Sequence, residues 1–475
     1  MAISHGVGIG LFSGRMAKLR DLMLGQGVLR EMADAAVKTG RQRGSAPRLH
    51  ALLLWVTALT LVSPGVSAVP PKTLTKLPNN LNEYFQPFIW NTFSYDSNIY
   101  RAPNDPPIVD PNCDRGGATA CYLPPGASKS DFINQLSIGS KILVPFSRQL
   151  WTLNLLGANN SFVRNSSLDN LSWDTSTAFD LEWADSWSGK VGARYARQLG
   201  GFGNFRFPGK DLLTFINYFG NVTYRISPRL RVTAGGDWNE VTHSLQRRQN
   251  QDVENTTARI ETVYATPLGN SFGLEYTRLE GKYPGRGAEV ANGFTRTSQD
   301  KPLLVTRYRI SEKLTFDGNV GYLWRNFDNA DRDFSGEVWR LGMTWLPTIK
   351  TGLTVAGYHT LGTYFEEQGL FYMAEGVLIE PSWYPTDKTL ISATLNYETR
   401  DYPRSGINRQ NEVVAPDRHD NAFSARVAAT YTPVDYADFS LIYEYGRRGA
   451  NGGIIDSQFF QYNFDSISAI GRLYF

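Results

Sequence analysis

From about residue 83 to its last residue the sequence alternates apolar and polar side chains with a period of two, broken mainly by turns and loops. In one stretch Leu230, Val232, Ala234, Gly236 and Trp238 alternate with Arg231, Thr233, Gly235, Asp237 and Asn239. In another, Ile391, Ala393, Leu395 and Tyr397 alternate with Ser392, Thr394, Asn396, Glu398 and Arg400. A third sets Leu314, Phe316, Val320 and Tyr322 against Thr315, Asp317, Asn319 and Arg325, and a fourth sets Phe423, Ala425, Val427, Ala429 and Tyr431 against Ser424, Arg426 and Thr430. A period of two sorts side chains onto the two faces of a β-strand, here one apolar and one wet. Register is tightly specified by such a pattern. A one-residue slip would move Arg426 or Glu398 to the apolar face, at roughly 2 to 4 kcal/mol for a basic residue in mid-bilayer.

Turn signals punctuate the alternation at 145–148, 184–186, 227–228, 267–270, 311–313, 347–350, 385–387 and 433–435, about forty residues apart. Each period holds two strands of the length a tilted membrane strand needs, plus a longer loop. The expected fold is therefore all-β, a transmembrane antiparallel up-and-down β-barrel of about eighteen strands over residues 83–475, with sixteen as the alternative count. The first strand is placed at 83–96, a long extracellular loop at 97–130 and the second strand at 132–144. Both termini fall on the short-turn, periplasmic side. Trp151, Trp183, Tyr224, Tyr264, Trp345 and Tyr431, near strand ends, suit an interfacial girdle there. The last strand, Ile467 to Phe475, carries Ile467, Ala469, Gly471, Leu473 and Phe475 on one face and Ser468, Arg472 and Tyr474 on the other, with Ile470 as the apolar exception. Left unpaired in a soluble protein it would be an open edge, whereas in a barrel it closes on the first strand. Its ending resembles the carboxy-terminal signal by which the barrel-assembly machinery recognises outer-membrane barrels, with Leu473 and Phe475 as the carrying residues. A propeller or β-helix also repeats short strands, but the per-blade motif usual in propellers does not occur here.

Composition agrees: 44 Gly, 24 Tyr, 26 Phe and 11 Trp in 475 residues sit beside a mean hydropathy of only −0.32, which suits an apolar exterior around a wet interior. A net charge of +3 with scattered Lys and Arg gives no footprint for nucleic acid. The one strongly apolar run, Ala51 to Val62, is too short for a membrane helix. With Arg41, Arg43 and Arg48 before it and Val66-Ser67-Ala68 after it, it reads as a signal peptide ending at residue 68. Residues 1–40 do not fit such a peptide and read as an untranslated extension, an alternative start at Val37 giving a signal peptide of ordinary length, while residues 69–82 form a periplasmic leader. Cys113 and Cys121 share the Pro- and Gly-rich first loop of an exported chain, and a disulfide is expected. Closing a loop of about nine residues would stabilise it by roughly 2 to 3 kcal/mol.

Chemistry is sparse. Beyond residue 68 the histidines are His243, His359 and His419, no GxSxG, HExxH or phosphate-binding Gly loop occurs, and the expectation is neither enzyme nor metal nor cofactor. What remains is the lumen. Parity assigns to it Arg194, Arg231, Asp237, Arg259, Glu261, Glu275, Arg307, Arg309, Arg340, Glu398, Arg400, Arg426, Glu444, Arg448 and Arg472. This Arg-rich set suits a wet path for weakly acidic solutes, or else ion-paired ladders that stiffen the inside. Tyr and Asn near the mouth, with Trp238, are candidates for sugar rings.

Several stretches, in order along nearly the whole chain beyond residue 82, carry a family likeness. They are Phe88-Ile-Trp-Asn-Thr-Phe-Ser-Tyr95-Asp96-Ser-Asn98-Ile-Tyr-Arg101, Pro267-Leu-Gly-Asn-Ser-Phe-Gly273 and Gly281-Lys-Tyr283-Pro284, then Asn326-Phe327-Asp328 with Arg332-Asp-Phe-Ser-Gly336, and Tyr397-Glu-Thr-Arg400-Asp-Tyr402. The chain resembles the exosortase-associated outer-membrane barrels of extracellular-polysaccharide biosynthesis, the EpsL family, within a wider group of β-barrel porins. The resemblance implies a role in polysaccharide synthesis or export, with outer-membrane lipids, the polysaccharide and a periplasmic export partner as contacts. The Cys-bearing loop has no counterpart in that family pattern. A diffusion porin for small solutes and a non-conducting scaffold of an export complex are the alternatives.

Overall fold

In a computed structural model, the described residues are 83–103, 123–124, 126–204, 209–286, 294–328, 333–363, 371–403, 416–453 and 460–475. The signal peptide, the leader and both cysteines lie outside them, and so do the calls made there. Among the described residues the chain forms eighteen strands. The first six are β1 (Phe85–Asp96), β2 (Asp131–Phe146), β3 (Gln149–Phe162), β4 (Asn170–Glu182), β5 (Trp187–Leu199) and β6 (Leu212–Arg225). Next come β7 (Leu230–His243), β8 (Val253–Ala265), β9 (Ser271–Lys282), β10 (Arg296–Ser311), β11 (Leu314–Phe327) and β12 (Phe334–Thr348). The last six are β13 (Thr351–Thr363), β14 (Phe371–Thr386), β15 (Thr389–Tyr402), β16 (Arg418–Val434), β17 (Ala437–Asn451) and β18 (Tyr462–Tyr474).

Each strand pairs antiparallel with its sequence neighbour, and β1 also pairs with β18 from Phe88 opposite Tyr474 to Asp96 opposite Ser466. That seam closes the sheet and leaves no edge, so every ladder hydrogen bond is made inside the chain. Each of the eight turn signals marks a junction between two strands, five of them overlapping the end of the preceding strand, and β1 begins two residues later than the alternation suggests.

Three of the turns are built alike. Pro347, Pro385 and Pro433 cannot donate to the ladder, and each lies where the register shifts, between Trp345 and Thr348, Trp383 and Thr386, and Tyr431 and Val434. A Lys from the preceding turn donates to each Pro carbonyl: Lys313 to Pro347 at 3.2 Å, Lys350 to Pro385 at 3.4 Å and Lys388 to Pro433 at 2.7 Å. The periplasmic rim is thus tied turn to turn around part of its circumference.

The exterior carries the apolar face. Ile138, Leu274, Leu304, Leu341 and Leu441 are all more than half exposed, as expected for side chains that meet lipid. Around the short-turn end run exposed aromatics, with Trp183 stacked on Trp187 at 6.1 Å and Trp187 against Tyr224 at 4.5 Å. Charges return to the outside at the long-loop end, where Arg278 meets Glu280 and Asp300 and His419 meets Asp401. A closed eighteen-stranded barrel, apolar outside and charged inside, is an outer-membrane barrel, with short turns toward the periplasm and long loops outward.

Candidate functional site

Register decides which side chains enter the lumen. Because paired residues share a face, the pairing Arg426 with Glu444, Arg259 with Gly235 and Arg340 with Asn319 carries the inward face from strand to strand. Followed around the wall, it puts every lumen candidate named from the sequence on the inner side. The same rule places Trp238 outside, where it stacks on Tyr218 at 5.7 Å, so it is not a sugar-binding residue of the mouth. His359 also faces out, stacked on Trp339, while His243 faces inward at the long-loop end of β7 with its Nδ1 2.8 Å from Asp252.

The inner surface is not uniform. On β4 and β5, Arg194 pairs with Asp174 at 2.6 Å with side chains 49% and 38% exposed, and Lys190 meets Asp180 at 3.2 Å in a similarly open setting. Neighbouring inward positions are small or uncharged, among them Asn154, Ser176, Asn217 and Asn221, and Asn154 donates to Ser176 at 3.0 Å. This side of the barrel, β3 to β7, is wet.

The other side is more closely packed. Arg259 bridges Glu275 at 2.8 Å and Glu261 at 3.2 Å, with Glu275 buried, while Arg340 reaches an Asp317 side chain that stays 38% exposed, at 3.0 Å. On β13 to β15 the Tyr358 hydroxyl donates to Glu398 at 2.7 Å and lies 3.2 Å from the Asn396 side chain, and Arg400 completes the carboxylate at 2.5 Å. Arg472 on β18 is held by Asp438 at 2.6 Å. Buried ions survive because each finds its counter-charge and hydrogen bonds at once. Many of the Arg residues expected from parity are therefore spent on neighbours. Of their partners, Asp317 was already on the wet face in the sequence pattern, whereas Asp174, Asp420 and Asp438 were not singled out, although the same parity points to them.

Loops narrow the extracellular mouth. Buried Asp420 accepts from Arg418 at 3.0 and 3.1 Å and from Arg448 at 2.9 Å, and Arg448 also donates to Tyr402 at 3.0 Å, to the Gly203 carbonyl at 2.9 Å and to Asn204. Gly203 belongs to the loop after β5, six strands around the wall from β17, so that loop must cross the mouth to reach Arg448. It does not cross alone. Phe202 packs with Ile99, Tyr100 and Leu168 in a core shared by the loops after β1, β3 and β5. Tyr100 lies 4.9 Å from Phe202, and burial beside Asp131 pushes its phenol up to about 12. On the other flank Arg248 meets buried Asp211 at 3.0 Å, tying the turn after β7 to the loop after β5. Desolvation raises the Asp211 carboxyl while Arg248 pulls it back.

Aromatics inside the barrel are the feature the sequence reading did not single out. Phe88 and Trp90 are partners of Gly139 and Ser137 on β2 and of Tyr474 and Arg472 on β18, all on the inner face. Polar Gln86, Thr92 and Ser94 at the same parity are the signal that could have placed them there.

No protein-family description matches the chain, and no curated protein sequence does. Solved structures of similar fold include Pseudomonas aeruginosa OpdK with vanillate, at 11% identity over 83% of this chain and 99% of that one, TM-score 0.42. Pseudomonas aeruginosa OccK2 (OpdF) is 8% identical over 83% and 98%, TM-score 0.45. Acinetobacter baumannii OccAB4 is 9% identical over 82% and 98%, TM-score 0.43. At such scores these likenesses add nothing to the porin-like barrel that the strand register already establishes.

Proposed function

We propose that the protein is a channel through which small hydrophilic solutes cross the outer membrane. The observation that supports this best is the open Arg194–Asp174 pair: side chains 49% and 38% exposed on the inward face of a closed barrel mean water-accessible space inside it. At eighteen strands a barrel encloses more than its side chains fill. Cargo size follows from the mouth. The loop after β5, tied to Arg448 a third of the way round the wall, subdivides the opening and favours small solutes over a polymer chain. The EpsL resemblance would make the cargo a polysaccharide, and no contact among the described residues at the mouth favours that reading.

Purified protein in planar lipid bilayers should give stepwise ion conductance, and proteoliposomes should swell in small sugars but not in large dextrans. A barrel that inserts and stays electrically silent would remove the channel and leave a scaffold. Loss of secreted polysaccharide in a deletion strain, with small-solute uptake intact, would return the cargo to the polymer.

A further inference from the structure

Resting on the channel reading, we propose that Phe88 and Trp90 form a stacking platform for the sugar ring of a saccharide passing through the lumen. Other inward aromatics such as Tyr358, Tyr372 and Tyr402 are buried among their neighbours. Aromatics stabilise a membrane barrel where they meet lipid or headgroups, and the exterior girdle supplies that here. Phe88 and Trp90 instead occupy the inner face, partly exposed, and forgo much of the gain from burial.

The geometry of the pair suits a ligand. The two rings are parallel within 8° with centroids 5.1 Å apart, an offset stack along β1 whose members are both partly exposed. Phe88 can lie across the wall because its partner on β2 is Gly139, where a side-chain carbon would come within 2.5 Å of the ring. The Trp90 indole N–H has no hydrogen-bond partner among the described residues, so the platform offers one free donor beside its apolar face.

The surroundings narrow the ligand class. Inward Gln86 and Gln135 flank the rings with uncharged donors and acceptors. Lys141, opposite Gln86 and one inward position beyond Gly139, has no acidic partner among the described residues, whereas most lumen cations described above are paired. A pyranose has an apolar C–H face for the rings and equatorial hydroxyls for the amides and the indole. A planar aromatic solute would use only the rings, and an acyclic polyol only the polar groups. Lys141 would add attraction for a sugar bearing a carboxylate.

Single-channel current in planar bilayers tests this with maltotriose, glucuronate and mannitol as probes. Maltotriose should block the current saturably, while mannitol at equal concentration should not. Trp90→Ala should raise the half-blocking concentration about tenfold, and Trp90→Phe should fall between. Lys141→Gln should weaken block by glucuronate and leave maltotriose unchanged. Phe88→Ala serves in place of Trp90→Ala if that variant does not insert, as read by heat-modifiable migration. A conducting wild type with no saturable block, or variants blocked as readily as wild type, would overturn the platform and leave the channel standing. A wild type that does not conduct would overturn both.

Discussion

Arg448 shows how much one side chain can determine in this barrel. It is buried, and it donates to Asp420 and Tyr402 on the wall and to Gly203 and Asn204 on the crossing loop. Replacing it with Met keeps much of the packing and removes every donor. Asp420 would keep Arg418, so its carboxylate would not be stranded, but the loop would lose its anchor on β17. The expected result for Arg448→Met is a larger single-channel conductance with the barrel still folded; unchanged conductance would mean the loop holds its place without this tie. Tyr100 tests the same mouth by pH. Its phenol has a folded value near 12 against an ordinary 10, so the neutral form is favoured in the native loop. That contribution is complete below pH 10 and is lost as pH rises toward 12. Conductance should therefore rise and grow noisier over that window, and Tyr100→Phe should abolish the change.

The strands themselves were legible because their signal is local. Alternation gives the face, Pro and Asp mark the turns, and closure follows once the last strand needs a partner. The repeat Trp345-Leu-Pro347, Trp383-Tyr-Pro385 and Tyr431-Thr-Pro433 was visible as turns, but not as a chain of contacts. Its hydrogen bonds join residues 34 to 45 positions apart, a separation no local pattern encodes. The register makes a sharp claim about the faces. Leu441 on β17 is 55% exposed between Ala429 and Ala469, so Leu441→Arg should destabilise the barrel by roughly 2 to 4 kcal/mol in reversible urea unfolding from vesicles. Ala178→Arg, on the inward face of β4 near Asp174 and Asp180, should cost little. Equal costs would mean that the faces are misassigned.

Across the whole molecule the lumen has two unlike halves, and only the existence of its charges could be read from the sequence. Parity reports that Arg194 and Arg259 both point inward, but not that one stands in water and the other is locked between two carboxylates. That difference arises from which loops fold in and from where large side chains such as Tyr358 and Tyr372 fill the space, both properties of the closed ring. The two arginines should then answer differently to the same change. Arg194→Gln leaves Asp174 in solvent as an unpaired negative charge on the open path, so the channel should shift toward cations. Arg259→Gln takes from Glu275, with a side chain 1% exposed, its salt-bridge partner, which should cost about 3 kcal/mol or more. It should hardly alter selectivity, because ions passing along β3 to β7 do not meet it. Reversal potentials in a KCl gradient and urea midpoints, measured on both variants, separate these outcomes. A selectivity shift in Arg259→Gln equal to that in Arg194→Gln would place the conducting path along both walls.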